Sequence, residues 1–347
     1  MHVEENQEPL PPEIDFCVDD FRPEDAEGLT RLFQSVYGDG YPIRLFYDPQ
    51  AIISANADGS YYSLVARLST GEIIGAQHLY RSAPYQALYE WGVGLVLKEY
   101  RSAGVFSRLA VFLHDDFLPR TPHIEEVFGE SVCNHTHMQK AVLRCGYCET
   151  AIEVALMPSE AYRKEQSAAG RVATICSFHC RKPRPQLVYL PAAYDPELRE
   201  IYSGLTDTRE LASAVRGVSA GKATKAEMSI FDFAQVARIA VHEAGDDLGL
   251  CIAAHEEEAA TRKVVVFQVW LNLSEPWIDA AVETLRAAGY FFGGVLPRWF
   301  DNDGLLMQKL LCPPDFDGIV PASERANRLL EVIRSDWERV ACINQNR

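Results

Sequence analysis

The stretch that decides the fold is Trp91-Gly92-Val93-Gly94-Leu95-Val96-Leu97-Lys98-Glu99-Tyr100-Arg101-Ser102-Ala103-Gly104-Val105-Phe106-Ser107-Arg108-Leu109. Its apolar first half predicts a β-strand, and the residues after Gly104 predict a helix. Backbone N–H groups at a helix N-terminus lack an intrahelical partner and carry the positive end of the helix dipole. A glycine at that point lets a phosphate approach the backbone closely. The stretch therefore predicts a strand, a turn and a helix start that together bind a diphosphate.

The elements predicted around this stretch follow the order β-α-α-β-β-β-loop-α-β-α-β. Apolar periodicity, together with turn residues such as Thr70-Gly71 and the glycine after a helix, places their boundaries. The predicted strands are Phe16 to Phe21, Tyr61 to Leu68, Glu72 to Tyr80, Ala87 to Leu97, Ile124 to Val132 and Thr150 to Met157. The predicted helices begin at Pro23 and Pro49 and cover Val105 to Phe117 and Asn134 to Cys145. Together they form one domain over residues 13–158.

This order and the Arg101-x-x-Gly104 loop resemble the GNAT acyltransferase superfamily, whose loop reads Gln/Arg-x-x-Gly-x-Gly/Ala. Phe106 departs from the pattern, since the family has a small residue there. Cys145-Gly146-Tyr147 is similar to the Leu-Gly-Phe ending of the family's fourth helix. The resemblance implies an α/β (α+β) fold with a mixed, mostly antiparallel sheet flanked by helices.

The resemblance also implies a co-substrate, acetyl-CoA or another acyl-CoA, and no metal. Strand residues before the loop would pair with the pantetheine arm; these are Leu95, Val96 and Leu97. The loop and helix start would bind the diphosphate through Arg101, Ser102, Ala103, Gly104, Val105 and Phe106. Asn134 matches the asparagine that begins the family's fourth helix and contacts the cofactor, although it is equally suited to capping a helix.

Acyl transfer to an amine needs a base to take the amine proton and donors for the developing oxyanion. In the family a carboxylate on the strand before the loop often acts as the base through water, and Glu90 holds that place. Alternation puts Glu90 on the opposite face from Tyr89 and Trp91. Backbone amides near Val96 would stabilise the oxyanion.

The family's general acid is a helix tyrosine, and its position here is Val142, so the acid is unassigned. His135 and His137 are candidates for acid or base, because histidine titrates near neutral pH. The acceptor site would include Tyr37, Asp39 and Tyr41, which suit a cationic amine through hydrogen bonds and cation–π contact. Turn chemistry alone also explains this Gly- and Pro-containing loop.

A polar linker over residues 159–170 separates this domain from a second one over 171–347. Val264 to Trp270, a helix over Glu275 to Ala288, and Gly289-Tyr290 repeat the layout of Glu125 to Tyr147. The second half is therefore predicted to be a degenerate GNAT-like domain without the Arg-x-x-Gly loop. Three further predictions there are strands over Val172 to Phe178 and Leu248 to His255 and a helix over Arg209 to Arg216.

Composition indicates a cytoplasmic protein with a flexible acidic arm over residues 1–12. No apolar run approaches the ~20 residues that span a bilayer, and no secretion signal begins the sequence. The net charge of −16 disfavours nucleic acid and suits a small amine or peptide amine. The nine cysteines are expected to be reduced thiols. A homodimer through the closing strands is left open.

Two alternatives compete with catalysis. The first is a structural zinc site made by Cys145, Cys148, Cys176, His179 and Cys180, whose local spacing resembles that of zinc ligands. The second is a sensor or scaffold that binds acyl-CoA without turnover. The missing helix tyrosine and the bulky Phe106 favour this second alternative.

Overall fold

The computed structural model describes residues 14–158, 170–214, 217 and 221–345. The predicted arm and nearly all of the predicted linker lie outside these residues. The chain forms two compact units, one made of residues up to Ser82 with Glu90–His123, the other of Ala83–Tyr89 with the residues from Ile124 onward. Among the helices that the structure describes, none has both the length and the apolar character needed to cross a membrane.

Four strands in the order β1-β2-β3-β4 form the sheet of the first unit, and each pair is antiparallel. They are β1 (Phe16–Asp20), β2 (Tyr61–Leu68), β3 (Ile73–Tyr80) and β4 (Leu88–Val96), of which β4 belongs to this unit from Glu90 onward. Its helices are α1 (Ala26–Tyr37), α2 (Pro49–Asp58), α3 (Val105–Phe112) and α4 (Leu118–Arg120). A π-helical turn over Leu113–Phe117 joins α3 to α4, so the predicted helix over Val105 to Phe117 continues beyond its predicted end.

Helix α1 buries one apolar stripe against the sheet. Leu29, Leu32 and Phe33 are fully buried, at the spacing that the sequence predicts for one helix face. The ring of Phe33 stacks on Phe46, with 4.0 Å between centroids. Gly38 ends the helix with a φ of +61°, which a side chain would strain.

An irregularity interrupts the pairing of β3 with β4. His78 pairs with Gly92, but Ala76 pairs with Leu95, so β4 holds one extra residue between them. Val93 takes up the extra length with a φ of +51°, in the left-handed region that favours glycine. The bulge changes which side chains of β4 face each side of the sheet.

The second unit contains the same strand-helix-strand-strand motif twice. One copy is β5 (Glu126–Val132), α5 (His137–Arg144), β6 (Cys148–Pro158) and β7 (Arg171–Cys180), and the other is β12 (Val266–Asn272), α8 (Ile278–Ala287), β13 (Phe291–Leu296) and β14 (Gly304–Leu310). In each copy the last strand lies between the other two, giving β5-β7-β6 and β13-β14-β12. Antiparallel pairing of β6 with β13 joins the copies at Gly294, where a Cβ would overlap the Thr150 carbonyl oxygen.

The other elements of this unit extend the second copy or flank it. Strands β11 (Val236–Glu243) and β10 (Lys225–Phe231) continue the sheet from β12, and the pair β11–β12 is parallel. A separate parallel pair consists of β8 (Gln186–Leu190) and β9 (Arg209–Ser213). The remaining helices are α6 (Asp195–Ser203), α7 (Leu248–Ala260) and α9 (Glu324–Gln345).

The predicted fold class, a mixed and mostly antiparallel sheet flanked by helices, is confirmed. Two predicted elements of the second half are wrong. Leu248 to His255 belongs to helix α7, with Leu250 on its exposed face, because a short apolar run does not distinguish a strand from a helix. Arg209 to Arg216 begins with strand β9, since pairing with β8 outweighs local helix propensity.

Two other boundaries differ from the predictions. Helix α5 begins at His137, three residues after the predicted Asn134. Strand β7, predicted to open the second domain, pairs with both β5 and β6. The two compact units divide the chain at other points than the predicted domains over 13–158 and 171–347, and that domain division stays a prediction.

Candidate active site

Glu90 lies buried on β4 within the first unit and is held by a neighbouring strand. The hydroxyl of Tyr80 on β3 donates a hydrogen bond to Glu90 Oε1. Tyr61 on β2 stacks on Tyr80, with 5.1 Å between ring centroids. These three side chains follow from strand register, because Tyr80 pairs directly with both Tyr61 and Glu90. Cross-strand partners project from the same face of a sheet.

The surroundings of this trio favour a neutral Tyr61. Burial, together with the charge of Glu90, raises the pKa of Tyr61 to about 12. Tyr61 therefore keeps its proton at neutral pH and remains a hydrogen-bond donor. A Cβ at Gly92 would lie 2.7 Å from the Tyr80 hydroxyl oxygen, so the absence of a side chain there leaves room for this contact.

Aromatic rings connect Glu90 to the predicted acceptor loop. Ring centroids are 4.7 Å apart between Tyr37 and Tyr41, 6.0 Å between Tyr41 and Phe46, and 5.8 Å between Phe46 and Tyr61. The structure thus brings two of the three predicted acceptor residues, Tyr37 and Tyr41, into one series of rings that ends at Tyr80 and Glu90.

Tyr47 fixes the conformation of the acceptor loop. Its hydroxyl accepts a hydrogen bond from the Tyr41 backbone N–H at 2.9 Å and donates one to the Gly38 carbonyl at 2.7 Å. Arg44 donates to the carbonyl of Asp39 at 3.3 Å. The Asp39 side chain, the third predicted acceptor residue, is exposed at the tip of this loop.

His78 supports the bulge of β4 from the same face of the sheet. Its Nδ1 lies 3.0 Å from the carbonyl oxygen of Val93, the residue with positive φ. Burial lowers the pKa of His78 to about 4, so the ring is neutral at physiological pH. A neutral ring with its proton on Nδ1 donates to that carbonyl. His78 therefore stabilises the local backbone rather than carrying charge.

The predicted diphosphate loop forms a 3₁₀-helix over Lys98–Ala103, followed by Gly104 and α3. Gly104 has a φ of +72°, and a Cβ added there would meet no atom within 4 Å. Among the residues that the structure describes, no side chain caps the N-terminus of α3, and both Ser102 and Gly104 are exposed. Arg101 is also exposed, and its Nε donates to the Val96 carbonyl at 3.3 Å. This helix start is open to an anion.

Packing occupies the side chains of Phe106 and Val105. The Phe106 ring lies nearly parallel to Trp91, with 6.2 Å between centroids, and a Cβ at Gly94 would lie 2.7 Å from it. Val105 is buried against Gly75. Phe106 therefore covers β4 on the face opposite Glu90, and its bulk does not fill the open helix start.

Of the three residues predicted to pair with pantetheine, two end strand β4 and the third follows it. Leu95 and Val96 are buried and pair with Ala76 and Gly75 of β3. Leu97 donates its backbone N–H to the Ile74 carbonyl at 2.9 Å. Ala103, the remaining loop residue, precedes Gly104 at the end of the 3₁₀-helix.

The remaining predicted site residues, Asn134, His135 and His137, lie in the second unit, between β5 and the start of α5. The rings of His135 and His137 are 5.2 Å apart. The buried amide of Gln139 organises this segment by donating to the carbonyls of Val132 and His135, each at 3.1 Å.

The predicted general-acid position, Val142, is buried, and so is Tyr147, whose ring stacks on His179. Burial raises the pKa of Tyr147 well above its ordinary value. The five residues of the zinc alternative do not converge, because no three of them, all of which the structure describes, lie within metal-binding distance of one another.

Sequence reasoning missed Tyr61, Tyr80 and His78 as parts of the site. The sequence predicts the β2–β3 hairpin and its Thr70-Gly71 turn. Counting residues outward from that turn is the signal that could have indicated which residues of the two strands face each other. Near the turn Arg67 pairs with Ile73, but Ala66 pairs with Gly75, so the pairing shifts by one residue. A shift of one residue exchanges the two faces of a strand. Counting alone would therefore not have placed Tyr80 opposite Tyr61.

No family model matches the sequence, and no curated protein matches it. Solved N-acetyltransferase structures do match, at low identity. The ribosomal-protein-S5-alanine acetyltransferase from Vibrio fischeri is 12% identical with a TM-score of 0.38, and the match covers 48% of this chain and 92% of that one. The ribosomal-protein-S18-alanine N-acetyltransferase from Escherichia coli is 12% identical with a TM-score of 0.38, covering 49% and 96%.

A third example is the spermidine/spermine N-acetyltransferase from Vibrio cholerae. It is 13% identical with a TM-score of 0.37, and the match covers 48% of this chain and 92% of that chain. Each of the three matches covers about half of this chain and is a similarity of fold at low identity.

Proposed function

We propose that this protein is an acyl-CoA-dependent N-acyltransferase that moves an acyl group, acetyl first among the candidates, directly onto an amine. The observation that carries the proposal is the buried Glu90 carboxylate, bound by the Tyr80 hydroxyl and approached by a series of aromatic rings. The open helix start at Gly104 belongs to the same unit. A general base and an anion-binding backbone are the two elements that this reaction needs most.

In the proposed reaction Glu90 accepts a proton from the acceptor amine, directly or through water. The neutral amine nitrogen then attacks the thioester carbonyl, so that a C–N bond forms and the C–S bond breaks. The sulfur leaves as a thiolate, and the second proton lost from the attacking nitrogen passes to it directly or through water, which gives the amide and the free thiol. Tyr80 is a positioning residue, because its hydrogen bond holds the Glu90 carboxyl group in place.

The acceptor is proposed to be a small amine or a peptide amine that arrives as a cation. Aromatic faces attract cations, and Tyr37, Tyr41 and Tyr61 supply such faces along the path to Glu90. The net charge of −16 also attracts a cation over long range. Four further points stay predictions. The protein is expected to bind neither nucleic acid nor a membrane, to lie in the cytoplasm, and to be able to form a homodimer.

The test compares wild-type protein with Glu90→Gln, which removes the base while keeping its shape. We expect acetyl transfer to a panel of amines, followed by release of the free thiol, to fall by about 100-fold or more. Calorimetric affinity for acetyl-CoA should stay within about twofold of the wild type. Glu72→Gln, at the exposed turn between β2 and β3, is the matched control and should keep full activity.

Two results would overturn this assignment. Full activity in Glu90→Gln would remove Glu90 from the chemistry, and failure of folded wild-type protein to bind acetyl-CoA would remove the co-substrate. Saturable binding with no turnover of any amine in the panel would instead favour the second candidate, an acyl-CoA sensor or scaffold. Val142 at the position of the family's acid tyrosine is the observation behind that candidate.

A further inference from the structure

Three side chains with metal-ligating atoms meet in the second unit, far along the chain from one another. They are Glu126 at the start of β5, Cys180 at the end of β7 and Asp207 just before β9, called here the Asp207 cluster. One carboxylate oxygen of each acid and the Cys180 sulfur all lie within 4.8 Å of one another. Glu126 and Cys180 pair directly across two antiparallel strands, which places both side chains on one face.

The two carboxylates of this cluster are buried without enough donors. Glu126 is 2% exposed and Asp207 is 7% exposed. Among the described residues, neither oxygen of Asp207 has a hydrogen-bond partner, and neither does Oε2 of Glu126. An ionised carboxylate removed from water is costly unless a cation or donors compensate it. A cation held between the two carboxyl groups would supply that compensation.

Arg209 meets this need only in part. Its Nε and Nη2 are directed to the two oxygens of Asp303, at 2.6 and 3.2 Å. Its remaining nitrogen, Nη1, forms an ion pair with Asp207 Oδ2 at 3.8 Å, beyond hydrogen-bond distance. One guanidinium is thus shared by two carboxylates, and Glu126 adds a third carboxyl group.

A second group of similar composition in the same unit shows the compensated case. Glu130, Glu153 and Cys176 also lie close together, but Arg238 contacts Glu130 at 3.3 Å and Glu153 at 3.0 Å. Gln268 and Thr174 donate further hydrogen bonds to Glu153, at 2.8 and 2.9 Å. The protein therefore supplies a cation and hydrogen-bond donors directly to this group, whereas the Asp207 cluster has only the 3.8 Å ion pair that Arg209 makes while it is bound to Asp303.

We propose that Glu126, Cys180 and Asp207 bind one divalent transition-metal ion of the zinc type. A thiolate with two carboxylates suits zinc better than magnesium or calcium, which prefer oxygen alone. Zinc takes four ligands, so water would complete the shell. The ion would connect the first residue of β5 and the last residue of β7 to the segment that precedes β9. Its role would be to stabilise the second unit, independent of acyl transfer.

The test uses the full-length protein, stripped with a chelator and then titrated with Zn²⁺. We expect one ion per chain by metal analysis and a higher melting temperature when Zn²⁺ is added. Cys180→Ser and Asp207→Asn should each weaken binding by at least tenfold. Cys176→Ala is the matched control, because its thiol belongs to the group that Arg238 compensates, and it should bind Zn²⁺ like the wild type.

Titration with Co²⁺ gives a second readout on wild-type protein. A thiolate-to-cobalt absorption band should appear on binding and should be absent in Cys180→Ser, with folding checked by circular dichroism. The proposal is overturned if folded wild-type protein takes up no stoichiometric Zn²⁺, or if both cluster variants bind it as tightly as the wild type. Loss of binding in a Cys145→Ser/Cys148→Ser variant with Cys180→Ser unaffected would also overturn it.

Discussion

Two strand-to-helix connections in this protein have the same layout but opposite character. The first leads from β4 through Gly104 to α3, and the second leads from β11 through Gly245 to α7. A Cβ added at Gly104 meets open space, whereas one added at Gly245 would overlap the carbonyl oxygen of Lys222. The first helix start is open, and the second is covered by the chain itself.

The two connections also differ in the charge of their side chains. The first offers the exposed basic side chains of Lys98 and Arg101. In the second, Asp246 accepts a hydrogen bond from the Gly221 N–H at 3.1 Å, and Asp247 accepts two from Thr224, each at 2.7 Å. Carboxylates of the chain thus stand beside this helix start, where they would repel an external anion. The two connections show that the same strand-to-helix layout can leave a helix start open or close it, and that the residues of the connection decide which.

The largest effect is expected from a substitution that fills the open space at Gly104. We expect Gly104→Trp to reduce affinity for acetyl-CoA by at least 100-fold, because a large side chain would enter the space that the diphosphate uses. Gly104→Ala is the matched control: it carries the same cost of a positive φ, about 1 kcal/mol, without filling the space. Calorimetric titration of both variants measures the difference.

Equal affinity in Gly104→Trp and wild type would place the co-substrate elsewhere. Equal loss in both variants would show that backbone conformation, and not open space, decides binding.

In the closed connection, a glycine-to-alanine change should lower the free energy of unfolding. We expect Gly245→Ala to lower the free energy of unfolding by about 3 kcal/mol, at the upper end of over-packing, since the Lys222 backbone must move. Gly104→Ala should cost about 1 kcal/mol. Urea denaturation of the full chain measures both, and a smaller loss in Gly245→Ala than in Gly104→Ala would contradict the contrast.

Much of the first unit could be predicted from the sequence, because burial there follows simple periodicities. The stripe of Leu29, Leu32 and Phe33 identified α1, and the Trp91–Leu109 stretch identified a strand, a loop and a helix. The second half was harder to predict. Its run from Leu248 to His255 is apolar but too short to show a period, and it forms part of a helix whose Leu250 faces solvent.

Positions within the site were less predictable than the elements. Glu90 was found because the family resemblance identified its strand, but the placement of Tyr61 opposite Tyr80 depends on a one-residue shift in the β2–β3 register. No local pattern in the sequence indicates that shift. The Asp207 cluster joins residues up to 81 positions apart, from Glu126 to Asp207, and only Cys180 of the three had been considered as a ligand.

Basic side chains at the open connection provide a more moderate test. Arg101→Ala should weaken acetyl-CoA binding by about tenfold, the range of one charge-assisted hydrogen bond, and the loss should shrink at high salt. Arg108→Ala is the matched control. The Arg108 guanidinium lies 4.1 Å from the centroid of the Phe16 ring, so it is already engaged within the protein. A larger loss of affinity in Arg108→Ala than in Arg101→Ala would reverse these assignments.

The smallest expected effect concerns the carboxylate that closes the second connection. Hydrogen bonds from the hydroxyl and backbone N–H of Thr224 lower the pKa of Asp247. A carboxyl group whose pKa is lower in the folded state stabilises the protein above its unfolded value, and that contribution is lost as pH falls through the folded value. Asp247→Asn should therefore be less stable than wild type at pH 7. The difference should begin to shrink as the pH falls below about 3.9, the ordinary aspartate pKa, and should vanish below the lower pKa of the folded state.

Thermal unfolding of the full chain at several pH values measures this difference, and Thr224→Val removes one of the two donors. The double variant should lose less stability than the sum of the two single losses, since both changes break the same hydrogen bond. A difference between Asp247→Asn and wild type that stays constant down to pH 2 would show that Asp247 acts through its shape alone. The second connection would then be closed by packing at Gly245 rather than by charge.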